Sequence, residues 1–284
     1  MLTNRLLASF AGAVLAAAVL IALAPGHSAA QGGNPRSTTV QKVFPSAVRL
    51  QIAAAGAVVR SASGVAFAKD GDRTYILTNA HVVEASAAWK EPVELRVLIS
   101  GAKEPLQGRV AARGRVPDTD IAVIEVRGAR VPVTPLAADD ALELGDDLVV
   151  IGAPFGKGLS VAAGIVSQIE YDFAEGAAPP RLPRSLKTDA AIGYGSSGGG
   201  VFDVPGGHLV GLIEGYRTAR VAFGKDEGYA VDVPMPGETF VAPAAKIRRF
   251  LADQGLGKLA PGVAAAAADV PAAGARAEPA ASRM

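Results

Sequence analysis

The sequence contains no cysteine. That excludes disulfides, thiolate nucleophiles and cysteine-ligated metal sites. Histidine is scarce: His27, His81 and His208 are the full set, so any imidazole chemistry falls to one of them. Aromatics make up only 5% of the 284 residues, with one tryptophan, Trp89. Charge of neither sign is in excess. With 28 Lys+Arg against 27 Asp+Glu the formal net charge is +1, which gives no electrostatic basis for binding nucleic acid or an anionic membrane surface. Neither dinucleotide-binding nor P-loop glycine spacing occurs, and no metal-ligand cluster is present. No cofactor and no metal are expected.

The one long apolar run, Leu6 to Ala24, lies at the N-terminus. Arg5 precedes it, Pro25-Gly26 breaks it, and Ser28-Ala29-Ala30 supplies small residues for cleavage. Residues 1–30 therefore read as a signal peptide cut after Ala30, and the rest as exported to the periplasm or beyond a bacterial cell. The run is slightly long for such a peptide, so a retained membrane anchor is the rival. Export without cysteine suits an envelope protein that needs no disulfides. Residues 31–42 read as a linker. The Ala/Pro-biased stretch 260–284 has almost no large apolar residue and reads as disordered.

Between these ends the pattern is all-β. Short apolar strands alternate with turn residues, among them "AVVRSASGVAFAKDG", "TYILTNAHVV", "DIAVIEV", "LVVIGAP" and "HLVGLIEGYRTARV". A Pro- and acid-rich stretch, "VPVTPLAADDALELGDD", divides two strand sets, over about 43–135 and 145–242. "APAAKIRRFLADQG" predicts a helix over about 243–254, with Ile247, Phe250 and Leu251 on one face and Gly255 as its stop.

Residues 193–200, "GYGSSGGG", hold five glycines and two serines. Glycine is costly to order, and its use is to turn backbone N–H groups toward a ligand. Acyl transfer needs a hydroxyl nucleophile and N–H donors aimed at the developing oxyanion. The nucleophile needs a histidine base, and the histidine a carboxylate to hold its tautomer. His81, Asp120 and Ser197 occur in that order, with Asp118 competing for the second role and Ser196 for the third. Each alone is ordinary: a histidine ending a strand, an aspartate starting one, a glycine-rich turn.

Together, "TNAHVV", "DIAVIEV" and "TDAAIGYGSSGGGVFD" resemble the three signature segments of trypsin-like serine proteases, in particular the bacterial HtrA/Deg family. The likeness spans about residues 42–256. It implies two six-stranded antiparallel β-barrels with a C-terminal helix, the domain running over 43–256 without a PDZ domain. It assigns Ser197 as nucleophile, His81 as base, Asp120 as orienter, and the N–H groups of Gly195 and Ser197 as oxyanion donors. It places Ile192 beside the pocket for the substrate side chain preceding the scissile bond. It also makes Leu212, Ile213, Glu214 and Gly215 the strand that pairs with a polypeptide substrate. Ala191 and Ile192, in place of an aspartate, imply a small or medium aliphatic preference, and Glu214 a favour for basic residues elsewhere in the substrate.

Two departures stand out. Gly193-Tyr194-Gly195 replaces the family's Asn-Pro-Gly, and Gly200 replaces a proline. Glycine does not restrict φ as proline does, so the oxyanion loop is expected to be loose at rest. Ser196 stands where digestive enzymes carry the aspartate that receives a new N-terminus, so clipping within 31–45 is expected to leave activity unchanged. The expected function is an exported serine endopeptidase working through an acyl-enzyme. The alternatives are a protease-fold binding or chaperone-like protein with little turnover, and a protease that needs a partner to order its loop.

Overall fold

The computed structural model describes residues 33–86, 88–139, 142–171, 182–223 and 229–260. The leader and nearly all of the Ala/Pro tail lie outside them. Among the described residues the strands close into two antiparallel barrels of six. The first contains β1 (Ala47–Ala54), β2 (Ala57–Asp70), β3 (Arg73–Thr78), β4 (Val93–Ile99), β5 (Leu106–Arg113) and β6 (Ala122–Arg127). The second contains β7 (Asp147–Gly152), β8 (Ser160–Tyr171), β9 (Pro183–Thr188), β10 (Gly200–Asp203), β11 (Leu209–Phe223) and β12 (Tyr229–Pro243). Both barrels run in the same order, 1-2-3-6-5-4 and 7-8-9-12-11-10. The all-β reading with two barrels is the fold observed.

Three apolar clusters explain the strand patterns. One fills the first barrel with Leu50, Ile76, Ile124 and Val126; another fills the second with Leu148, Val150, Val210 and Ile213. The third lies between the barrels and takes Val65, Leu77, Val123, Val149, Ile151 and Leu212. Side chains alternate along a strand. On β6 and β7 one set therefore enters a barrel and the other enters the shared contact. That is why "IAVIEV" and "LVVIG" read as nearly unbroken apolar runs.

A C-terminal helix, Ala244–Asp253, closes the chain against this shared contact with buried Ile247, Phe250 and Leu251. Each such side chain stabilises by about 1.5–3 kcal/mol when fully buried. The stretch read as a linker contains a helix instead, α1 (Pro35–Val43), and the C-terminal helix is accordingly α2. Pro35 sits at the start of α1, where its missing N–H costs nothing. Thr39 and Val43, four apart on one face, are buried. Thr39 Oγ1 donates to Val204 O (2.6 Å), Lys42 Nζ donates to Gly206 O (2.6 Å), and Arg36 pairs with Asp147. The sequence "PRSTTVQKV" has too weak an apolar face to announce a helix; Val43 enters the cluster between the barrels, and polar contacts with the second barrel complete the hold. A cut inside 35–43 would sever a docked element, so the expectation that clipping is harmless does not extend to it.

Candidate active site

His81 and Asp120 meet because β3 and β6 are neighbours. Thr78 and Ala122 are paired across them; His81 lies three residues past the one and Asp120 two before the other. Asp120 is 9% exposed. Its Oδ2 lies 2.6 Å from His81 Nδ1, and its Oδ1 accepts the His81 main-chain N–H at 2.8 Å. Asn79 Nδ2 donates to the main-chain oxygen of Asp120 (2.8 Å) and fixes the backbone that carries the carboxylate. Asp118 is exposed and takes no part in this pairing. With Nδ1 engaged by Asp120, Nε2 is the ring nitrogen of His81 left open to other groups.

Ser197 belongs to the second barrel but is held from the first. Ser63 N–H on β2 donates to Ser197 O (2.9 Å), and Thr78 Oγ1 donates to Ser63 O (2.8 Å). Gly198 N–H donates to Ile213 O (2.9 Å). Gly198 has φ +77, and a Cβ there would lie 2.2 Å from Thr78 Oγ1 and 2.4 Å from Ser63 O. Only glycine lets the Ser197 turn approach the other barrel so closely. Ser196 is buried, with Oγ 3.4 Å from Gly193 N and packed on Gly152; Ser197 is half-buried.

Two peptide groups set the direction of the candidate oxyanion donors. Tyr194 O accepts Phe155 N–H (2.5 Å), and Ser196 O accepts Gly199 N–H (2.8 Å). In a trans peptide the N–H points opposite to the C=O. The N–H groups of Gly195 and Ser197 therefore point away from these anchors, and neither has an acceptor among the described residues. Further bonds tie the loop: Ser196 N–H to Gly193 O (3.0 Å) and Ser63 Oγ to Gly195 O (2.7 Å). The loose loop expected from the missing prolines is not observed. Donors from Phe155 and Ser63 do the restraining that proline would have done. Gly200 has its own reason, since a Cβ would lie 2.4 Å from the Phe202 ring.

A cavity of about 510 Å³ opens beside this loop. Val150, Ala162, Ala191 and Ile192 give it apolar walls, and Tyr194 and Tyr216 meet edge-to-face at its rim, 5.8 Å apart. Burial first, and then the hydrogen bond with Tyr194, pushes the Tyr216 phenol up, so it stays neutral at ordinary pH.

The substrate strand needs correction. Leu212 and Ile213 are fully buried, and Ile213 spends both main-chain groups on the Ser197 turn: its N–H goes to Gly199 O (2.9 Å) and its O accepts Gly198 N–H. Neither residue can pair with a substrate. Beyond Ile213, Gly215 and Tyr216 pair with Phe240 and Thr239 of β12, and among the described residues no strand pairs their other edge. Glu214 accepts from Lys246 Nζ (2.7 Å), so its charge is already answered and the expected favour for basic residues loses its basis.

A family model described as a trypsin-like peptidase domain matches residues 62–212, more than half of the chain. This chain belongs to the trypsin-like peptidase family. "Periplasmic serine endoprotease DegP" of Escherichia coli K12 is 33% identical over 144 residues, covering 50% of this chain and 28% of that protein. "Probable periplasmic serine endoprotease DegP-like" of Pseudomonas putida GB-1 is 36% identical over 191 residues, covering 66% and 36%. The chain thus spans about a third of the length of the curated relatives it matches. These trypsin-like relatives are of the HtrA/Deg kind that the three motifs resemble. The fold also matches the solved serine endoprotease from Yersinia pestis, with a TM-score of 0.57 and 22% identity over 78% of this chain and 67% of that one.

Sequence reading missed several residues that shape this trypsin-like site. Arg60 donates to the carbonyls of His81, Val82 (3.0 Å) and Glu84 (3.2 Å) while its guanidinium lies 4.7 Å over the Trp89 ring. Arg49 Nη1 donates to Gly156 O (2.9 Å), steadying the turn that carries Phe155. His208, in the turn after β10, binds Asp203 through its N–H and is remote from the chemistry.

Proposed function

We propose that this chain is an exported serine endopeptidase that cleaves polypeptides through an acyl-enzyme. Ser197 attacks the scissile carbonyl. His81 takes its proton and returns it to the leaving amine, and Asp120 holds the imidazole through Nδ1. The oxyanion that forms is met by the N–H groups of Gly195 and Ser197. The observations that carry this reading are the Asp120-bound His81, the Ser63 bridge from its strand to the Ser197 turn, and the N–H groups of Gly195 and Ser197, which have no acceptor among the described residues. The apolar cavity supports cleavage after apolar residues, and about 510 Å³ admits side chains larger than small aliphatics. Export is supported by the N-terminal apolar segment and by relatives named as periplasmic. The binding-protein alternative depended on a loop unformed at rest, and the hydrogen bonds around Gly195 favour the enzyme instead.

The test is digestion of an unfolded polypeptide by the full chain, with cleavage sites read by mass spectrometry. Cuts after apolar residues, absent with His81→Ala, are expected. A folded protein that makes no cut would refute the reading.

A further inference from the structure

We propose that Ser63 is a positioning residue for the oxyanion donors, setting the loop of the second barrel from the wall of the first. The inference rests on the endopeptidase reading above.

Ser63 lies on β2 and is 0% exposed. Nearly all its polar capacity crosses to the barrel that carries the nucleophile. Oγ accepts Ala153 N–H (2.8 Å) and donates to Gly195 O (2.7 Å), and its main-chain N–H donates to Ser197 O (2.9 Å). A hydroxyl has one proton to give. Accepting from Ala153 turns that proton toward Gly195 O. Its own carbonyl accepts from Thr78 Oγ1, three residues before His81. One residue thus ties the nucleophile, an oxyanion donor and the histidine strand into a single arrangement.

The consequence lies in Gly195, whose φ of +89 and lack of Cβ leave its orientation to external bonds. Phe155 holds the peptide before it through Tyr194 O, and Ser63 holds the peptide after it through Gly195 O. Without the hydroxyl, Gly195 O and Ala153 N–H lose their partner, and the Gly195 N–H is aimed by one bond instead of two. The side-chain walls of the cavity, Val150, Ala162, Ile192 and Tyr216, are untouched. The loss therefore falls on the transition state and not on substrate binding.

The test compares full-length wild type with Ser63→Ala and Ser63→Thr, each assayed below its own measured melting temperature. Removing an oxyanion donor outright costs about 10²–10³ in kcat, so misaiming one is expected to cost Ser63→Ala about 10- to 100-fold in kcat with KM nearly unchanged. A peptide aldehyde, which forms a tetrahedral adduct in the same hole, should lose affinity by a similar factor. Ser63→Thr keeps the hydroxyl and should recover most of the rate. A merely structural serine would lower the melting temperature without this kcat loss. A folded Ser63→Ala with wild-type kcat, or one altered only in KM, overturns the inference alone. A wild type without activity or aldehyde binding overturns it together with the endopeptidase reading.

Discussion

Replacing Asp120 with asparagine tests the histidine pairing most stringently, because the structure dictates which way the amide must sit. Oδ1 of Asp120 accepts the His81 main-chain N–H at 2.8 Å, and Oδ2 faces Nδ1 at 2.6 Å. An asparagine keeps the first bond only by placing its carbonyl oxygen there, which puts its NH₂ against Nδ1. A donor then faces the ring, so Nδ1 must present its lone pair and the proton moves to Nε2. That tautomer cannot take the proton of Ser197. The wrong tautomer is expected to cost about 10⁴ in kcat, or about 5.5 kcal/mol of transition-state stabilisation at ~1.36 kcal/mol per tenfold. Stability should change little, since shape is conserved and Asn79 still bonds the main-chain oxygen of residue 120. Steady-state peptide hydrolysis and thermal unfolding on the same samples are the measurements. Exposed Asp118→Asn is the control and should behave as wild type. A folded Asp120→Asn within about tenfold of the wild-type kcat would refute the assigned role.

Further outcomes follow from the same structure. Ser197→Ala should lose about a million-fold in turnover, whereas Ser196→Ala, whose hydroxyl makes only a 3.4 Å contact, should lose less than about tenfold; reversal of that order in kcat would exchange the two serines' roles. Gly198→Ala forces a side chain into φ +77 and against Thr78 and Ser63, so denaturant unfolding should show a cost at or above about 1–3 kcal/mol; an unchanged midpoint would contradict the packing described. The Lys187 ammonium, bonded at 2.9 Å, holds the Glu238 carboxyl below its ordinary value of 4.5, with Arg217 adding to the effect. A depressed carboxyl stabilises above its unfolded value and loses that contribution as the pH falls through the folded one. Glu238→Gln should thus melt below wild type at neutral pH, with the gap closing below about pH 4.5; a gap that persists there would exclude this ion pair as its source.

Much of the fold was readable because the strands are short, apolar and punctuated by turns, and because three motifs in order resemble a two-barrel family. His81 and Asp120 were readable because each adjoins its strand, and neighbouring strands bring them together. Asp118 could not be set aside by spacing alone, since the two aspartates lie two residues apart on an extended chain; the pairing with His81 decides it. Ser63 gave no local sign. Its partners lie 90 and 132 residues away, and a serine between small residues in a strand is unremarkable. The same distance hid the restraint on the glycine loop, so glycine content alone suggested looseness. Leu212 and Ile213 misled because resemblance locates a strand but not which main-chain groups are already spent. Helix α1 was missed because its hold is tertiary, two valines in the shared cluster and polar contacts to the second barrel, with no long periodic apolar face.

The most direct measurement is labelling of the folded full chain with a fluorophosphonate probe, followed by mass spectrometric location of the adduct. The proposed triad and hole predict one adduct, on Ser197, that disappears in His81→Ala. A folded protein that takes no label, or takes it elsewhere, would contradict the claim that His81, Asp120 and the Gly195–Ser197 loop form a working site.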